Sequence, residues 1–403
     1  MKLAVTGVGI VSPLGHNLQL NLDNLKSMQV PLVEAGPSDD FCEGIITLDK
    51  LFKANFDDAD LSPFFDRRDL KTADPVCQSS MLAVDEAVKQ SGWETLPSNT
   101  GVYVGSIQGG CTQEMVWVCK LVAGRTKIHP NTLLNSAQEY VSNVVSQHYD
   151  LHGPCSVVAA TCISGVQALQ HAHDNLVATG NDVAIVGGTD FMTSSTRLFY
   201  FQQMGAFSTT PKITPWDKDR DGIIMGEGSA YLIVEPLDKA EARGAPIRWV
   251  IDGVGIASDS FHPTQPDPQG TGGKIAIQHA MDQAGTTGVD YNVFNAHGTG
   301  TDVGDPIEHS VLKQFFPGGK LYSNKGQVGH TMGASCIVEL VLGAEAMCAG
   351  FVPGNAGLNE PFTDDDHFEF TRDAQPLEYN RLMKTSFGFG GRCSAVSVCK
   401  YEG

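Results

Sequence analysis

Short apolar runs alternate with amphipathic stretches along the first half of the chain, and this alternation constrains the fold more than any other feature. The apolar runs have the length of buried strands and occupy residues 2–6, 101–104, 183–186 and 230–234. The stretches between them, at residues 81–91 and 166–178, have the spacing of amphipathic helices. Strands that alternate with helices predict an α/β architecture.

The same alternation resumes after Pro246. Further candidate strands and helices lie at residues 248–255, 273–284, 291–296, 337–347 and 395–400. The pattern divides the chain into two units, residues 1–245 and 246–403, which repeat an order of elements without an evident repeat of residues. A chain of this length is also ample for a large buried core.

Charge, hydropathy and cysteine content exclude several classes of partner. The formal net charge of −19 argues against a nucleic-acid ligand. The longest apolar runs fall short of the roughly 18 residues that a membrane span requires. Ten cysteines in 403 residues do not resemble a disulfide framework, and the sequence holds no zinc-type CxxC pair. We therefore expect a cytoplasmic protein with reduced thiols, no membrane contact and no metal.

Cys162 is a candidate nucleophile because of its position. It lies in the segment ATCISG (residues 160–165), where a Val- and Ala-rich run ends and a helical pattern begins. A thiol at a helix N-terminus is close to the positive end of the helix dipole, which favours the thiolate.

Two histidines and a lysine far along the chain are candidate partners for this thiol. His297 lies in NAHGTGT (residues 295–301), and His330 ends the segment SNKGQVGH (residues 323–330), which also contains Lys325. Each segment lies where a strand-like run gives way to small, turn-forming residues. One cysteine with two glycine-flanked histidines and a lysine forms a recognisable reacting constellation.

These segments, together with motifs at both ends of the chain, resemble a known family. The further motifs are VTGVGIVSPLG at residues 5–15, PWDKDRDG at 215–222, GEG at 226–228 and TSFGFGG at 385–391. In this order they resemble the β-ketoacyl-[acyl carrier protein] synthases of the elongating, Cys-His-His type, within the thiolase-like superfamily. The resemblance extends over nearly the whole chain.

The resemblance implies a fold and an activity. The fold would be a duplicated thiolase-like fold of five layers, α-β-α-β-α, with the active site at the seam between the halves. The activity would be that of an acyltransferase, a decarboxylative Claisen condensation of an enzyme-bound acyl group with malonyl-[acyl carrier protein] (malonyl-ACP) to give 3-oxoacyl-ACP, in fatty acid or polyketide biosynthesis. No cofactor would be needed, because the 4'-phosphopantetheine arm arrives on the carrier protein.

The resemblance also implies roles for individual residues. Cys162 would carry the acyl group, and neutral N–H groups of His297 and His330 would hold the developing enolate oxygen. Lys325 and Glu339 would organise the histidines. Phe389 would be a gatekeeper on a glycine-flanked loop, and its backbone N–H would form the oxyanion hole with that of Cys162. Thr299 and Thr301 would hydrogen-bond the phosphopantetheine arm.

Two kinds of protein partner follow from the same resemblance. The first is the acidic acyl carrier protein, and the cluster Arg67, Arg68 and Lys71 is the predicted docking surface, although a solvated helix face explains these charges equally well. The second is another ketosynthase-like subunit in a dimer, either an identical chain or a chain-length factor.

Three positions depart from the family pattern. Thr161 puts a β-branched hydroxyl residue before the nucleophile, Gln108 replaces an aliphatic residue that lines the acyl pocket in housekeeping relatives, and Arg392 follows the last glycine pair. A polar group beside a saturated chain costs free energy unless it is paired. These departures lead to the hypothesis of a specialised acyl substrate, for example unsaturated, aryl-bearing or polyketide-like.

Three alternative functions remain open. A chain-length factor shares the fold but typically lacks the nucleophile, so the presence of Cys162 argues against it. A thiolase would use a second cysteine and a different histidine motif. A relative that forms esters or amides instead of carbon–carbon bonds would keep most of the motifs, and the sequence does not exclude it.

Overall fold

The computed structural model describes residues 1–34, 50–109, 118, 121–122, 124, 135–192 and 195–403. The strands are β1 (Leu3–Val11), β2 (Val33–Glu34), β3 (Lys50–Leu51), β4 (Gly101–Gly105), β5 (Cys155–Val158), β6 (Ala184–Phe191), β7 (Glu227–Pro236), β8 (Trp249–Ser258), β9 (Val293–Asn295), β10 (Gly319–Tyr322), β11 (Phe351–Val352), β12 (Phe368–Phe370), β13 (Gln375–Pro376), β14 (Arg381–Gly388) and β15 (Arg392–Lys400).

Helices connect these strands, four of them at the predicted stretches 81–91, 166–178, 273–284 and 337–347. They are α1 (Leu18–Lys26), α2 (Pro75–Gln90), α3 (Tyr140–His148), α4 (Ser164–Thr179), α5 (Ser195–Gln203), α6 (Leu237–Ala242), α7 (Thr271–Ala284), α8 (Gly304–Phe315), α9 (Lys325–Val328) and α10 (Ser335–Cys348). Within the described ranges, none of them is both long and apolar enough to cross a membrane.

The principal sheet shows the duplication directly. Its strand order is β12-β10-β9-β14-β15-β8-β1-β7-β6-β4-β5. The first half contributes β5-β4-β6-β7-β1, and the second contributes β10-β9-β14-β15-β8 and an additional edge strand, β12. When β12 is left out and the strands are numbered along the chain within each half, both orders read 3-2-4-5-1. The halves meet where β1 pairs antiparallel with β8, and the predicted boundary between residues 245 and 246 falls in the connection between α6 and β8.

The helices complete the five predicted layers. Helices α2 and α3 cover the outer face of the first half-sheet, and α7 with α8 covers that of the second. Helices α4 and α10 lie between the two half-sheets and contact each other. Every residue of α10 from Ser335 to Met347 is buried. The duplicated thiolase-like architecture is therefore confirmed.

The two halves also share a residue pattern, so the expectation of no residue-level repeat was wrong. Residues 7–10 in β1 and 253–256 in β8 both read GVGI. These strands are the first of their halves and are neighbours in the sheet.

The glycines of this repeat let a helix lie directly on the strand. A Cβ at Gly9 would lie 1.9 Å from the carbonyl oxygen of Ala83 in α2, and a Cβ at Gly255 would lie 1.9 Å from that of Ala276 in α7. No carbon atom can approach an oxygen so closely, so both positions require glycine. The repeat thus sets the distance between the sheet and an outer helix layer in each half.

We expect Gly9→Ala to lower the free energy of unfolding by about 3 kcal/mol, because α2 must move away from the sheet. Gly228→Ala is a matched control within the same sheet, since its added Cβ would meet neighbours at 3.4 Å, an ordinary contact distance. Urea unfolding followed by circular dichroism measures both variants. Equal stabilities of the two variants would contradict this account of the close approach.

Candidate active site

Cys162 lies in a strained turn between β5 and α4. Thr161, just before it, has a φ of 51°, in the left-handed region that β-branched residues rarely adopt. Ser164 holds the turn closed: its Oγ accepts from the Ala160 N–H (2.9 Å) and donates to the Thr161 carbonyl (2.6 Å). The turn directs the Cys162 side chain into a cavity of about 630 Å³, which His297 and His330 also line.

His330 presents a ring N–H to this thiol. Its Nε2 lies 3.3 Å from the Cys162 Sγ, and its Nδ1 accepts a hydrogen bond from the Met332 N–H (3.1 Å). Burial, reinforced by the Lys325 charge, lowers the pKa of His330 to about 3, so the ring is neutral. A neutral ring that accepts at Nδ1 carries its proton on Nε2, which points at the sulfur.

His297 has the same tautomer for a different reason. The Lys325 Nζ lies 3.3 Å from the His297 Nδ1, and an ammonium group can only donate, so Nδ1 accepts. Burial and the Lys325 charge lower the pKa of His297 well below its ordinary value. The two rings lie 5.4 Å apart, centre to centre. Two neutral rings therefore turn Nε2–H donors toward the cavity.

These three side chains converge on a single position. The Cys162 sulfur and one nitrogen from each ring lie within 4.8 Å of one another. Such a set can surround one small atom, either a cation or an oxygen that becomes negatively charged. The neighbouring ammonium groups oppose a cation there, and they favour an oxygen that gains negative charge.

Behind the histidines, Glu339 forms ion pairs with two buried lysines. The Lys325 Nζ lies 2.6 Å from the Glu339 Oε1, and the Lys384 Nζ lies 2.7 Å from the Oε2. Burial would raise the pKa of Glu339, but the two ammonium groups overcome it and lower the pKa to about 2. Lys325 also donates to the His297 carbonyl (2.5 Å), so the cluster holds both the backbone and the ring of this histidine.

The resting thiol is not a thiolate. Burial raises the pKa of Cys162 to about 12, although the Lys325 charge and a hydrogen bond from the Phe389 amide act against this. The position at the N-terminus of α4 thus does not by itself ionise the sulfur. Ionisation depends on the donors around it, which include the His330 Nε2–H.

Two acidic side chains at the start of α8 shape the loop that carries the threonines. Asp305 accepts from the backbone N–H groups of Thr299 (3.0 Å) and of the next residue, while Glu308 accepts from the His297 N–H (2.8 Å). The hydroxyl groups of Thr299 and Thr301 lie 3.0 Å apart on the cavity wall. The structure therefore brings both threonines to the cavity that opens on Cys162.

Phe389 lies at the cavity mouth on a loop with two glycines of positive φ, Gly390 (72°) and Gly391 (70°). Its ring is about one-third exposed and stacks on Phe201 at 6.5 Å. Thr161, the unusual residue before the nucleophile, donates through Oγ1 to the Phe389 carbonyl (3.1 Å). The side chain of Thr161 therefore ties the loop of Phe389 to the turn of Cys162.

Other predicted positions lie away from the cavity. Gln108 is buried, but it does not line the cavity, and its backbone N–H donates to Asp190 (3.0 Å). Arg392 is exposed and is also absent from the lining, although the next residue, Cys393, belongs to it. The predicted docking residues Arg67, Arg68 and Lys71 are exposed around a single 3-10 turn.

The sequence analysis missed three site residues, Asp305, Glu308 and Lys384. The two acids follow the His297 motif at an i, i+3 spacing, which puts both on one face of the first helical turns. A lysine inside the strand-like run that precedes TSFGFGG was the signal for Lys384, because lysine is almost never buried unless it is paired.

Comparisons with known proteins agree with this geometry. The profile of the β-ketoacyl synthase N-terminal domain matches residues 1–240, and that of the C-terminal domain matches residues 249–359. The chain belongs to the β-ketoacyl synthase family. This family membership makes it a condensing enzyme of the acyltransferase class.

Relatives cover the whole chain. A 3-oxoacyl-[acyl-carrier-protein] synthase 2 of Coxiella burnetii is 30% identical over 97% of this chain and 96% of its own. A 3-oxoacyl-[acyl-carrier-protein] synthase 2 of Staphylococcus aureus (strain MRSA252) is 29% identical over 100% of this chain and 99% of its own. Among solved structures, a β-ketoacyl synthase from Burkholderia phymatum STM815 is similar at a TM-score of 0.87 and 26% identity over both full chains. The ishigamide ketosynthase/chain length factor reaches the same TM-score at 22% identity over 99% of each chain.

The depressed pKa of His330 predicts a specific dependence of stability on pH. The folded-state pKa of about 3 lies below the ordinary value of about 6.5, so the unfolded chain binds the proton first as the pH falls. The contribution of His330 to the free energy of unfolding is complete above pH 6.5 and decreases as the pH falls from there toward 3. Between pH 7 and pH 5, we expect the native chain to lose about 2 kcal/mol more unfolding free energy than His330→Gln does.

Urea unfolding at the two pH values measures this difference, and titrating groups that the chains share cancel in the comparison. Equal losses in the native chain and the variant would mean that His330 has an ordinary pKa in the folded protein.

Proposed function

We propose that this chain is a ketosynthase that condenses an acyl group carried on Cys162 with malonyl-ACP to give 3-oxoacyl-ACP, in fatty acid or polyketide biosynthesis. The observation that carries the proposal is the convergence of the Cys162 thiol with two neutral Nε2–H donors in one cavity. This reaction needs a nucleophile that holds the acyl group covalently, and it needs hydrogen-bond donors to the enolate oxygen.

The first step is acyl transfer. The Cys162 sulfur attacks the carbonyl carbon of the acyl thioester, and the backbone N–H groups of Cys162 and Phe389 are the proposed donors to the resulting oxyanion. The Phe389 amide already hydrogen-bonds the Cys162 sulfur, which supports this assignment. The intermediate collapses, the C–S bond to the pantetheine arm breaks, and the proton of the Cys162 thiol ends on the departing arm. The products are acyl-Cys162 and free carrier protein.

The second step joins the chains. The malonyl group loses carbon dioxide, and the electron pair of the broken C–C bond moves to the thioester oxygen as an enolate. The Nε2–H groups of His297 and His330 are placed to donate to that oxygen. The enolate carbon then attacks the acyl carbonyl on Cys162, and the C–S bond breaks as the 3-oxoacyl product forms. The Cys162 thiolate that leaves takes up a proton from solvent, which restores the resting thiol. No cofactor of the enzyme's own takes part in these steps.

The shape of the cavity supports carrier-bound substrates. It is about 630 Å³ in volume and has Thr299 and Thr301 on its wall, where we propose that they hydrogen-bond the amide groups of the pantetheine arm. Phe389 at the mouth is the proposed gate. Arg67, Arg68 and Lys71 remain the proposed docking surface for the acidic carrier, because their side chains are exposed and positively charged, although Asp66 and Asp69 are exposed in the same segment.

Two further features of the protein are proposed. The first is a dimer, of identical chains or with a chain-length factor, and the edge position of β5 in the sheet supports it, since an edge strand can pair with a second chain. The second is a cytoplasmic location, in agreement with the free thiols of all seven cysteines in the described part of the chain.

Cys162→Ala should abolish acylation by acyl-ACP, with a loss of at least about a thousandfold in turnover. Cys393 also lines the cavity, but among the described cysteines Cys162 is the one that hydrogen-bonds a histidine of the site. Intact-mass analysis after incubation with acyl-ACP and then malonyl-ACP measures the adduct and its discharge. Cys155→Ala removes an exposed thiol and serves as the control. An adduct that persists in Cys162→Ala, or one discharged as an ester or amide, would contradict the proposal.

His297→Ala should slow condensation much more than it slows acylation. Of the two histidines, His330 is the one that hydrogen-bonds the Cys162 sulfur, so we expect acylation of His297→Ala to stay within about tenfold of the native rate. Condensation should fall by about a hundredfold or more, since one donor to the enolate oxygen is lost. Time courses of adduct formation and of product release measure the two rates. Equal losses in both steps would mean that His297 is not specific to the enolate.

A further inference from the structure

Lys384 is a buried cation that belongs to no motif of the site. It lies in β14, where it pairs with Asn295 of the parallel strand β9, two residues before His297. Its side chain is completely buried. Water does not solvate a lysine in this position, so polar or charged groups of the protein must compensate its charge.

Three oxygen atoms surround the Lys384 ammonium group. Its Nζ donates hydrogen bonds to the Thr385 carbonyl (2.6 Å) and the Ala296 carbonyl (3.4 Å). It also forms an ion pair with the Glu339 Oε2, at a distance of 2.7 Å.

Lys325 is satisfied in the same way on the other side of Glu339. It reaches Glu339 Oε1 and both the carbonyl and the Nδ1 of His297. Glu339 is therefore one carboxylate shared by two ammonium groups, while the adjacent histidines are neutral. The buried cluster of Lys325, Glu339 and Lys384 carries a net charge of +1.

We propose that Lys384 is a positioning and electrostatic residue of the condensation, which gives this buried cluster its net positive charge and so favours the two anions of the reaction, the Cys162 thiolate and the enolate oxygen. A neutral Lys325–Glu339 pair would suffice to hold His297. The second ammonium group raises the free-energy cost of burying the cluster. A buried positive charge is useful at this place because it stabilises the negative charge that develops next to it during the reaction.

The inference rests on the proposed condensing function, but its main test does not need turnover. Iodoacetamide alkylates thiolates, so the rate of Cys162 alkylation, followed by peptide mass analysis, reports how well the site stabilises that anion. Lys384→Met keeps the length of the side chain and removes the charge. We expect alkylation at constant pH to slow roughly tenfold, which corresponds to about one unit of thiol pKa.

The direction of this change separates charge from structure. If Lys384 only supported the fold, its loss would loosen the site, expose Cys162 and make alkylation faster. Lys400→Met is the matched control, because it breaks the partly exposed Lys400–Glu378 pair on the neighbouring strand β15. Its alkylation rate should equal that of the native chain. An unchanged or faster rate in Lys384→Met would overturn the inference.

Chemical rescue provides a second arm. In Lys384→Ala, ethylammonium should restore the alkylation rate and ethanol should not, because only the former returns the charge to Glu339. Rescue by both or by neither would overturn the electrostatic role. With carrier-bound substrates, Lys384→Met should lower the kcat of condensation about tenfold and change KM less than threefold. A native chain that fails to condense would overturn the proposed function, while the alkylation arms still decide the role of Lys384.

Discussion

The site depends on one interaction, the sharing of the Glu339 carboxylate by two buried ammonium groups. Glu339 projects from α10, Lys325 begins α9 and Lys384 lies in β14, so the shared carboxylate ties three elements of the second half together. Through Lys325 it fixes both the backbone and the ring of His297. The positive charge left over helps to keep the two histidines neutral, and neutral rings can act as donors without repelling the ammonium groups.

This interaction is possible because the fold is duplicated. The central helix α10 lies between the two half-sheets and has only protein around it, which removes water from Glu339. Cys162 comes from the first half and His297 and His330 from the second, so the seam between the halves is where thiol and donors can meet. The GVGI repeats keep an outer helix close to the first strand of each half.

The sequence predicted the α/β class, the duplication and the five motif-bearing residues that meet at the site, because each is signalled locally by periodicity or by a motif. It did not reveal Lys384, whose role comes from a contact between residues 45 positions apart in the chain. The GVGI repeat is visible in the sequence, but the reason for its glycines is a carbonyl oxygen on another element, which only the structure shows.

The tautomers of the two histidines bear on the mechanism. Both rings accept at Nδ1 and carry the proton on Nε2, so neither is ready to take a proton from Cys162. Loss of carbon dioxide from a malonate carboxylate requires no proton transfer, only stabilisation of the electron pair left behind. In the proposed acyl transfer the thiol proton passes to the departing pantetheine sulfur, and in the condensation Cys162 leaves as an anion. A site that supplies fixed donors and net positive charge, with no poised base, therefore suits a reaction in which anions form and disappear while few protons move.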